Sequence, residues 1–315
     1  MPEAGGVAPS RAKLVTAFAA VYVLWGSTYL AIRFGVETIP PFLMAGTRHL
    51  AAGLILFLWT RLRGEPRPEL RSWPTAFFVG GLMLLGGNGL VTWAEKRVPS
   101  GLAALIVASV PLWMALLDGL HKRTRPRPAV AAGLLTGLLG ILMLVAPGRF
   151  AGNGRVDLLG AGALLLAALC WTSGSLYSRH HAKLPQSVLT STAMQMIGGG
   201  TLLWVVGLVA GEGSRLRLDA VSSRSLFSLA YLIVFGSLLG FSAYVWLLRS
   251  TTPARVSTYA YVNPVVAVFL GWAFAGEAVT LRIFLATIAI VGSVALIIRY
   301  GGSRTPLETR KEKAA

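Results

Sequence analysis

A few polar side chains interrupt long apolar runs in this sequence, and their types set the chemistry available. They are Arg48, His49, Asn88, Thr92, Glu95, Gln195 and Asn263. An arginine inside such a run must face protein or water and have a partner. Arg48 lies several residues into its run, about 10 Å deep at about 1.5 Å of helical rise per residue. Asn88, Thr92 and Glu95 follow i, i+4, i+7 spacing, one helix face at comparable depth. Three roles stand open for Glu95: pairing with Arg48, carrying a proton, or sitting among the headgroups at the end of its run. His49 titrates near neutral pH in water, but nothing local couples it to a proton, and a hydrogen-bonded packing role competes. Gln195 reads as a helix–helix hydrogen bond. Asp118 and Glu277, near run ends, read as interfacial.

Aromatics add a second kind of chemistry. Tyr22, Trp25 and Tyr29 share one helix face, and Trp171 and Ser175 occupy the matching stretch of a later run. With Tyr244 and Tyr259 they are candidates for an aromatic cavity wall, suited to amphipathic or aromatic solutes through stacking and cation–π contacts. Core packing is the competing reading. Pro264 cannot donate to the carbonyl of Ala260, nor Pro111 to that of Val107. Carbonyls freed at membrane depth are tolerated in protein or beside a water-filled cavity. Pro111 and Pro264 are therefore hinge candidates, and Asn263 a cavity residue with Tyr259 one turn back; a plain kink, with Asn263 serving a neighbouring helix, is the alternative.

The elements that must position these residues follow from composition. Of 315 residues, 55% are hydrophobic and 13% charged, more apolar and less charged than an ordinary soluble domain. Apolar runs fall at 14–34, 42–61, 73–93, 100–120, 129–146, 158–178, 187–210, 226–248, 254–275 and 281–299, most near the length that crosses the hydrocarbon core. The connections are short, charged and rich in Gly and Pro. The expectation is an all-α membrane protein of ten transmembrane helices. The first run is too long for a signal peptide and lacks a cleavage motif after it. The single cysteine, Cys170, excludes an internal disulfide and a Cys-based metal site.

The net charge of +17 suggests nucleic acid until its placement is read. With the N-terminus inside, 19 of the 29 Lys and Arg fall on cytoplasmic segments, 9 on the other face, and Arg48 within a run. That bias favours both termini in the cytoplasm and accounts for the basic excess without a nucleic-acid partner.

The two halves echo one another. Trp25, Ser27, Leu30 and Arg33 match Trp171, Ser173, Leu176 and Arg179 at an offset of 146. Gly86 precedes Pro99 by 13 residues, as Gly240 precedes Pro253. LIVASVPLWMALL (105–117) parallels YAYVNPVVAVFLG (259–271), so Pro111 answers Pro264, and GILMLV (140–145) parallels GSVALI (292–297). Five spans per copy is an odd number, so the second copy enters the membrane from the opposite side, an arrangement many secondary transporters use. The organisation expected is a tail (1–13), a first repeat (14–146), a periplasmic linker (147–157), a second repeat (158–299) and a basic tail (300–315).

LWGSTYLAIRFGVETIPPFLMAGTRHLAAGLIL (24–56), GNGLVTWAE (87–95), VPSGLAALIVASVPL (98–112) and YAYVNPVVAVFLG (259–271) resemble the drug/metabolite transporter superfamily. More narrowly, they resemble its ten-helix branch with two EamA domains and the YedA-like exporters of bacterial inner membranes. The resemblance implies two inverted five-helix repeats around a central cavity, exporting metabolites or drugs by alternating access. The family often closes the span after the repeat's proline with Gly-Glu. Gly276-Glu277 has it, whereas the first half has Thr124 in a basic loop.

Other motifs do not carry chemistry. GGNGLV (86–91) lies inside an apolar run with no strand before it. Gly133/Gly137 and Gly236/Gly240 indicate close helix packing and leave a homodimer open. His180-His181 lacks further ligands for a metal, and no nucleotide-hydrolysing motif occurs. The sequence therefore points to a secondary transporter, most simply an exporter of amino acids, related amphipathic or aromatic solutes, or drugs, with no cofactor and with a small molecule and the bilayer as partners. A facilitator or lipid flippase of the same fold is the alternative. A membrane-embedded enzyme on lipid-linked substrates needs clustered acids, bases or metal ligands, which these scattered residues do not supply.

Overall fold

The computed structural model describes residues 10–121, 128–145, 157–251, 253–256 and 258–300. Thr124 lies outside them. The described chain is helical throughout. Helix α1 spans Arg11–Gly35 and α2 Pro41–Leu62. The third apolar run begins as α3 (Trp73–Gly80), passes through a π-helical stretch, Gly81–Gly89, and ends as α4 (Leu90–Ala94). Then come α5 (Ser100–Val107), α6 (Val110–His121), α7 (Pro128–Val145), α8 (Leu158–His180) and α9 (Val188–Val209). A short α10 (Glu212–Arg215) leads to α11 (Ser223–Tyr231), a second π-helical stretch (Leu232–Phe241) and α12 (Ser242–Ser250). Helices α13 (Pro253–Val256), α14 (Tyr259–Ala275) and α15 (Leu281–Tyr300) complete the chain.

Six of these segments are long and apolar enough to cross a membrane: Arg11–Gly35, Pro41–Leu62, Leu70–Ala94, Leu158–His180, Val188–Val209 and Ser223–Ser250. Four shorter apolar helices accompany them. The helix starts are those the sequence dictates. Ser10, Asp157, Ser187 and Ser222 each accept a backbone N–H from the first turn of the helix they precede. Pro41 opens α2, where a missing N–H costs nothing. Gly276 closes α14 with φ +65°, a conformation a side chain would strain.

The packing is reciprocal between the halves. Helix α2 lies along α9 and α7 along α15. The π stretch of the third run packs on α8, and that of the eighth on α1. Helix α14 packs on α1 and α5, while α8 packs on α5 and α6. The α2/α9 pair is antiparallel. At one end Glu212, after α9, accepts from the backbone N–H of Leu43 at 2.9 Å. At the other, Arg61 of α2 donates to Thr190 of α9 at 3.4 Å. Between them the backbones come close: a Cβ on Gly200 would fall 2.7 Å from the backbone nitrogen of Leu50. Gly133 faces Ile297 and Gly140 faces Ile290, so α7 and α15 also run in opposite directions. The Gly133/Gly137 face is thus filled by α15 of the same chain.

The two proline-containing spans differ. Before Pro111 the helix is interrupted at Ala108–Ser109, and Pro111 sits in the first turn of α6, where no donor is required. Helix α14 runs unbroken through Pro264.

Candidate functional site

A cavity lies among both halves of the chain. From the first half it is lined by Trp25, Tyr29, Arg48, His49 and Asn88, and from the second by Trp171, Tyr259 and Asn263. Eight of the residues singled out from sequence therefore share one space, which helix periodicity alone could not establish because they come from five separate spans.

Four aromatic rings form the wall and its backing. Trp25 meets Trp171 edge-on with ring centroids 5.4 Å apart, Tyr259 edge-on at 5.4 Å and Tyr244 at 5.0 Å. Tyr244 is fully buried behind this wall, outside the lining. Its hydroxyl accepts from Trp171 Nε1 at 3.1 Å and bonds Ser175 Oγ at 2.8 Å. Ser175 thus holds the layer behind the wall, and Thr92 turns its hydroxyl back to the Asn88 carbonyl at 2.8 Å. Neither lines the cavity.

A polar cluster adjoins this wall at Gly236. Arg48 Nε donates to Ser237 Oγ at 2.7 Å and Nη1 to Asn88 Oδ1 at 3.5 Å. His49 Nε2 lies 3.2 Å from Asn88 Oδ1, and its Nδ1 lies 3.4 Å from Ser237 Oγ. Both π-helical stretches feed this site: one presents Asn88 and the other Gly236 and Ser237. Wide turns of this kind recur at functional sites because they re-aim side chains out of helical register. They also explain why Ser237 and Gly236 escaped sequence reasoning. The Gly236/Gly240 pair was visible as a packing signal, but its neighbours here are side chains. A Cβ on Gly236 would lie 2.6 Å from Arg48 Nη2, and one on Gly240 2.4 Å from Trp25 Nε1. The indole of Trp25 in turn donates to the Gly236 carbonyl at 3.1 Å.

Asn263 does two things. It lines the cavity, and with its amide assigned in the orientation that satisfies both ends, its nitrogen donates to the carbonyls of Tyr22 at 2.9 Å and Tyr259 at 3.3 Å, tying α14 to α1 beside the proline. Val107, at the break before Pro111, also lines the cavity. The hydroxyl of Tyr22 bonds that of Thr258, a second link between α1 and the start of α14.

Several expectations need correction. Glu95 is fully buried within the protein. It makes no ion pair with Arg48, and neither carboxylate oxygen has a hydrogen-bond partner among the described residues. Arg33 donates to its backbone carbonyl at 2.8 Å. Glu277 has a partner that its place at a span end did not foretell. Its carboxylate accepts from the backbone N–H of Ser100 at 2.7 Å, from Ser100 Oγ at 2.8 Å and from the N–H of Gly101 at 3.0 Å, capping α5 of the other half. Gln195 bonds Ser191 within its own helix, at 3.1 Å, rather than a neighbouring one.

The model of the EamA-like transporter family matches the chain twice, over residues 13–146 and 158–299. The chain is 41% identical over 286 residues to the uncharacterized inner membrane transporter YedA of Escherichia coli (strain K12), covering 90% of each protein. It is 24% identical over 287 residues to the uncharacterized transporter YoaV of Bacillus subtilis (strain 168), covering 88% of this chain and 94% of that one. A solved crystal structure shares the fold with a TM-score of 0.66 at 22% identity, over 91% of this chain and 98% of its own.

Proposed function

Since the chain belongs to the EamA-like transporter family, we propose that it is a secondary transporter of the inner membrane that exports small amphipathic solutes by alternating access. Ten transmembrane segments, in two inverted repeats over 14–146 and 158–299, form its body, and both termini lie in the cytoplasm. The observation that carries this reading is one cavity lined from both halves, by Trp25, Tyr29, Arg48, His49 and Asn88 of the first and Trp171, Tyr259 and Asn263 of the second. The reciprocal, antiparallel pairing of α2 with α9 and α7 with α15 supports the inversion. A pocket between two such halves opens to one face or the other as they rock. The interruption before Pro111 and the donor lost at Pro264 are the points at which these spans flex.

The solute binds where apolar walls and a few fixed polar groups meet, the usual character of a small-molecule site. The test is flux of a panel of small solutes from vesicles holding the purified protein, comparing the parent with Trp25→Ala and Asn263→Ala. At least one solute should cross faster than in empty vesicles, and each substitution should lower that flux. No flux of any solute would remove the transport reading. Unchanged flux in both folded variants would remove the cavity assignment. Repeating the assay with and without a pH gradient separates obligatory proton antiport from facilitated movement.

A further inference from the structure

The buried charge of Arg48 has no carboxylate in direct contact among the described residues; Glu95 acts on it only from beyond ion-pair distance. The residue is 3% exposed on the cavity wall. Its two hydrogen-bond partners, Ser237 and Asn88, are neutral. No carboxylate forms an ion pair with it among the described residues. Its Nη2 passes over Gly236, where a side chain would obstruct it, and has no acceptor among the described residues. A guanidinium stays protonated in proteins, and a charge held away from water is costly unless paired. Two of its five N–H groups are used, and the fork that remains matches the geometry of a carboxylate.

The rest of the cavity describes the other end of the occupant. Trp25, Trp171 and Tyr259 supply aromatic faces and edges, and Ile32, Leu84 and Val91 supply apolar surface. Such walls suit an apolar body of aromatic size.

We propose that Arg48 is the anion-recognition group of this cavity and that its ligand carries a carboxylate on an apolar, aromatic-sized body. Asn88 and Ser237 act as positioning residues that hold the guanidinium toward the cavity. His49 completes their hydrogen bonding. Glu95 is not part of the recognition site. It lies outside the lining, one turn beyond Val91. The inference rests on the transport reading only in taking the cavity as the place where the solute binds.

The experiment is calorimetric titration of the purified parent in detergent at neutral pH with two matched probe series. One is phenylacetate, phenylethylamine and phenylethanol; the other is indoleacetate, tryptamine and indole-ethanol. Within each series only the head group changes. The carboxylate should bind best in at least one series, by roughly 10- to 100-fold over the alcohol, the range expected for a hydrogen-bonded charge. Arg48→Gln should remove that preference while leaving alcohol binding near the parent value. Arg48→Lys should keep part of it, since charge survives without the fork. Glu95→Gln should keep all of it. If Arg48→Gln fails to fold, the parent's ranking of the probes and the Arg48→Lys titration still decide. Equal or better binding of amine or alcohol, a preference that survives Arg48→Gln, or no binding in either series would overturn the proposal. Carboxylate-selective binding with no vesicle flux would spare it and remove the transport reading. Flux of amines or alcohols in preference to carboxylates would do the reverse.

Discussion

At the scale of single residues, the cavity wall depends on hydrogen bonds one layer behind it. Trp171 Nε1 donates to Tyr244, whose hydroxyl also bonds Ser175. Tyr244→Phe keeps the ring contacts with Trp25 and Trp171 but leaves a part-buried indole N–H without its acceptor. Such an orphaned donor costs about 1–3 kcal/mol. Chemical or thermal unfolding in detergent should show a loss in that range, and the Tyr244→Leu variant a larger one because ring packing goes too. A loss no greater than experimental scatter in Tyr244→Phe would mean that the indole finds another partner. Glu95 presents the opposite case. Its carboxylate is buried with neither oxygen bonded within the described chain. An unpartnered carboxyl group is costly to bury in its charged form, and glutamine is a neutral group of similar shape. Glu95→Gln should therefore unfold no earlier than the parent, and clear destabilisation in the same assay would show that the carboxylate has a partner that matters.

At the scale of elements, glutamates from one part of the chain secure helix starts in another. Glu277 caps α5 through Ser100 and Gly101, and Glu212 meets the N–H of Leu43 in α2. Charge-assisted bonds at a helix N-terminus satisfy orphan donors and favour the helix dipole. Glu277→Ala should cost about 1–2 kcal/mol, the range of a lost N-cap, and hydrogen exchange should quicken first in 100–104. Uniform exchange across the molecule would argue against a local cap. Glu65, in the loop after α2, links to α9 through Thr190. Burial pushes its pKa up, but hydrogen bonds from Ser187 and Thr190 and the charge of Arg61 outweigh this and hold it below the ordinary 4.5. A lowered carboxylate pKa stabilises the fold above the unfolded value and loses that contribution as pH falls through the folded one. The stability difference between parent and Glu65→Gln should then stay constant from neutral pH down to the ordinary carboxylate range and close only below it. A difference that vanished near pH 6 would contradict the assignment.

Element scale is also where sequence and structure part. The apolar runs and the helix faces carrying Trp25, Tyr29 and Asn88 were legible, because periodicity is local. The two prolines looked equivalent and are not. Pro111 opens a new helix after a break, whereas Pro264 is carried within α14 beside an asparagine that bonds across to α1. What decides between these outcomes is a neighbour far away in sequence. Ser237, and the place of Gly236 beside Arg48, were illegible for a related reason: the π-helical turn that aims them has no periodic signature. Tyr244 and Ser175 were placed at the cavity by type, but one layer of packing separates them from it.

At the scale of the whole molecule, the proposal of inversion makes a demand that no single contact does. If five spans precede the second copy, corresponding loops of the two copies face opposite sides of the membrane. The loop after α2 and the loop after α9 are such a pair. In the structure they lie at opposite ends of an antiparallel couple: Glu65 is beside the start of α9, and Glu212 is beside the start of α2. Arg67 and Arg217 are exposed members of these loops. In a Cys170→Ser background, Arg67→Cys and Arg217→Cys can each be tested in intact cells with a thiol reagent that does not cross the membrane. The 217 position should label from outside, and the 67 position only after the membrane is opened. The basic bias predicts that order, with the more basic loop retained inside. Labelling of both from the same side would dissolve the two-fold relation, and with it the reason for a cavity that opens alternately to each face. Reversed labelling would keep the fold and the cavity but turn the molecule over, placing the cytoplasmic face where the charge bias puts the periplasmic one.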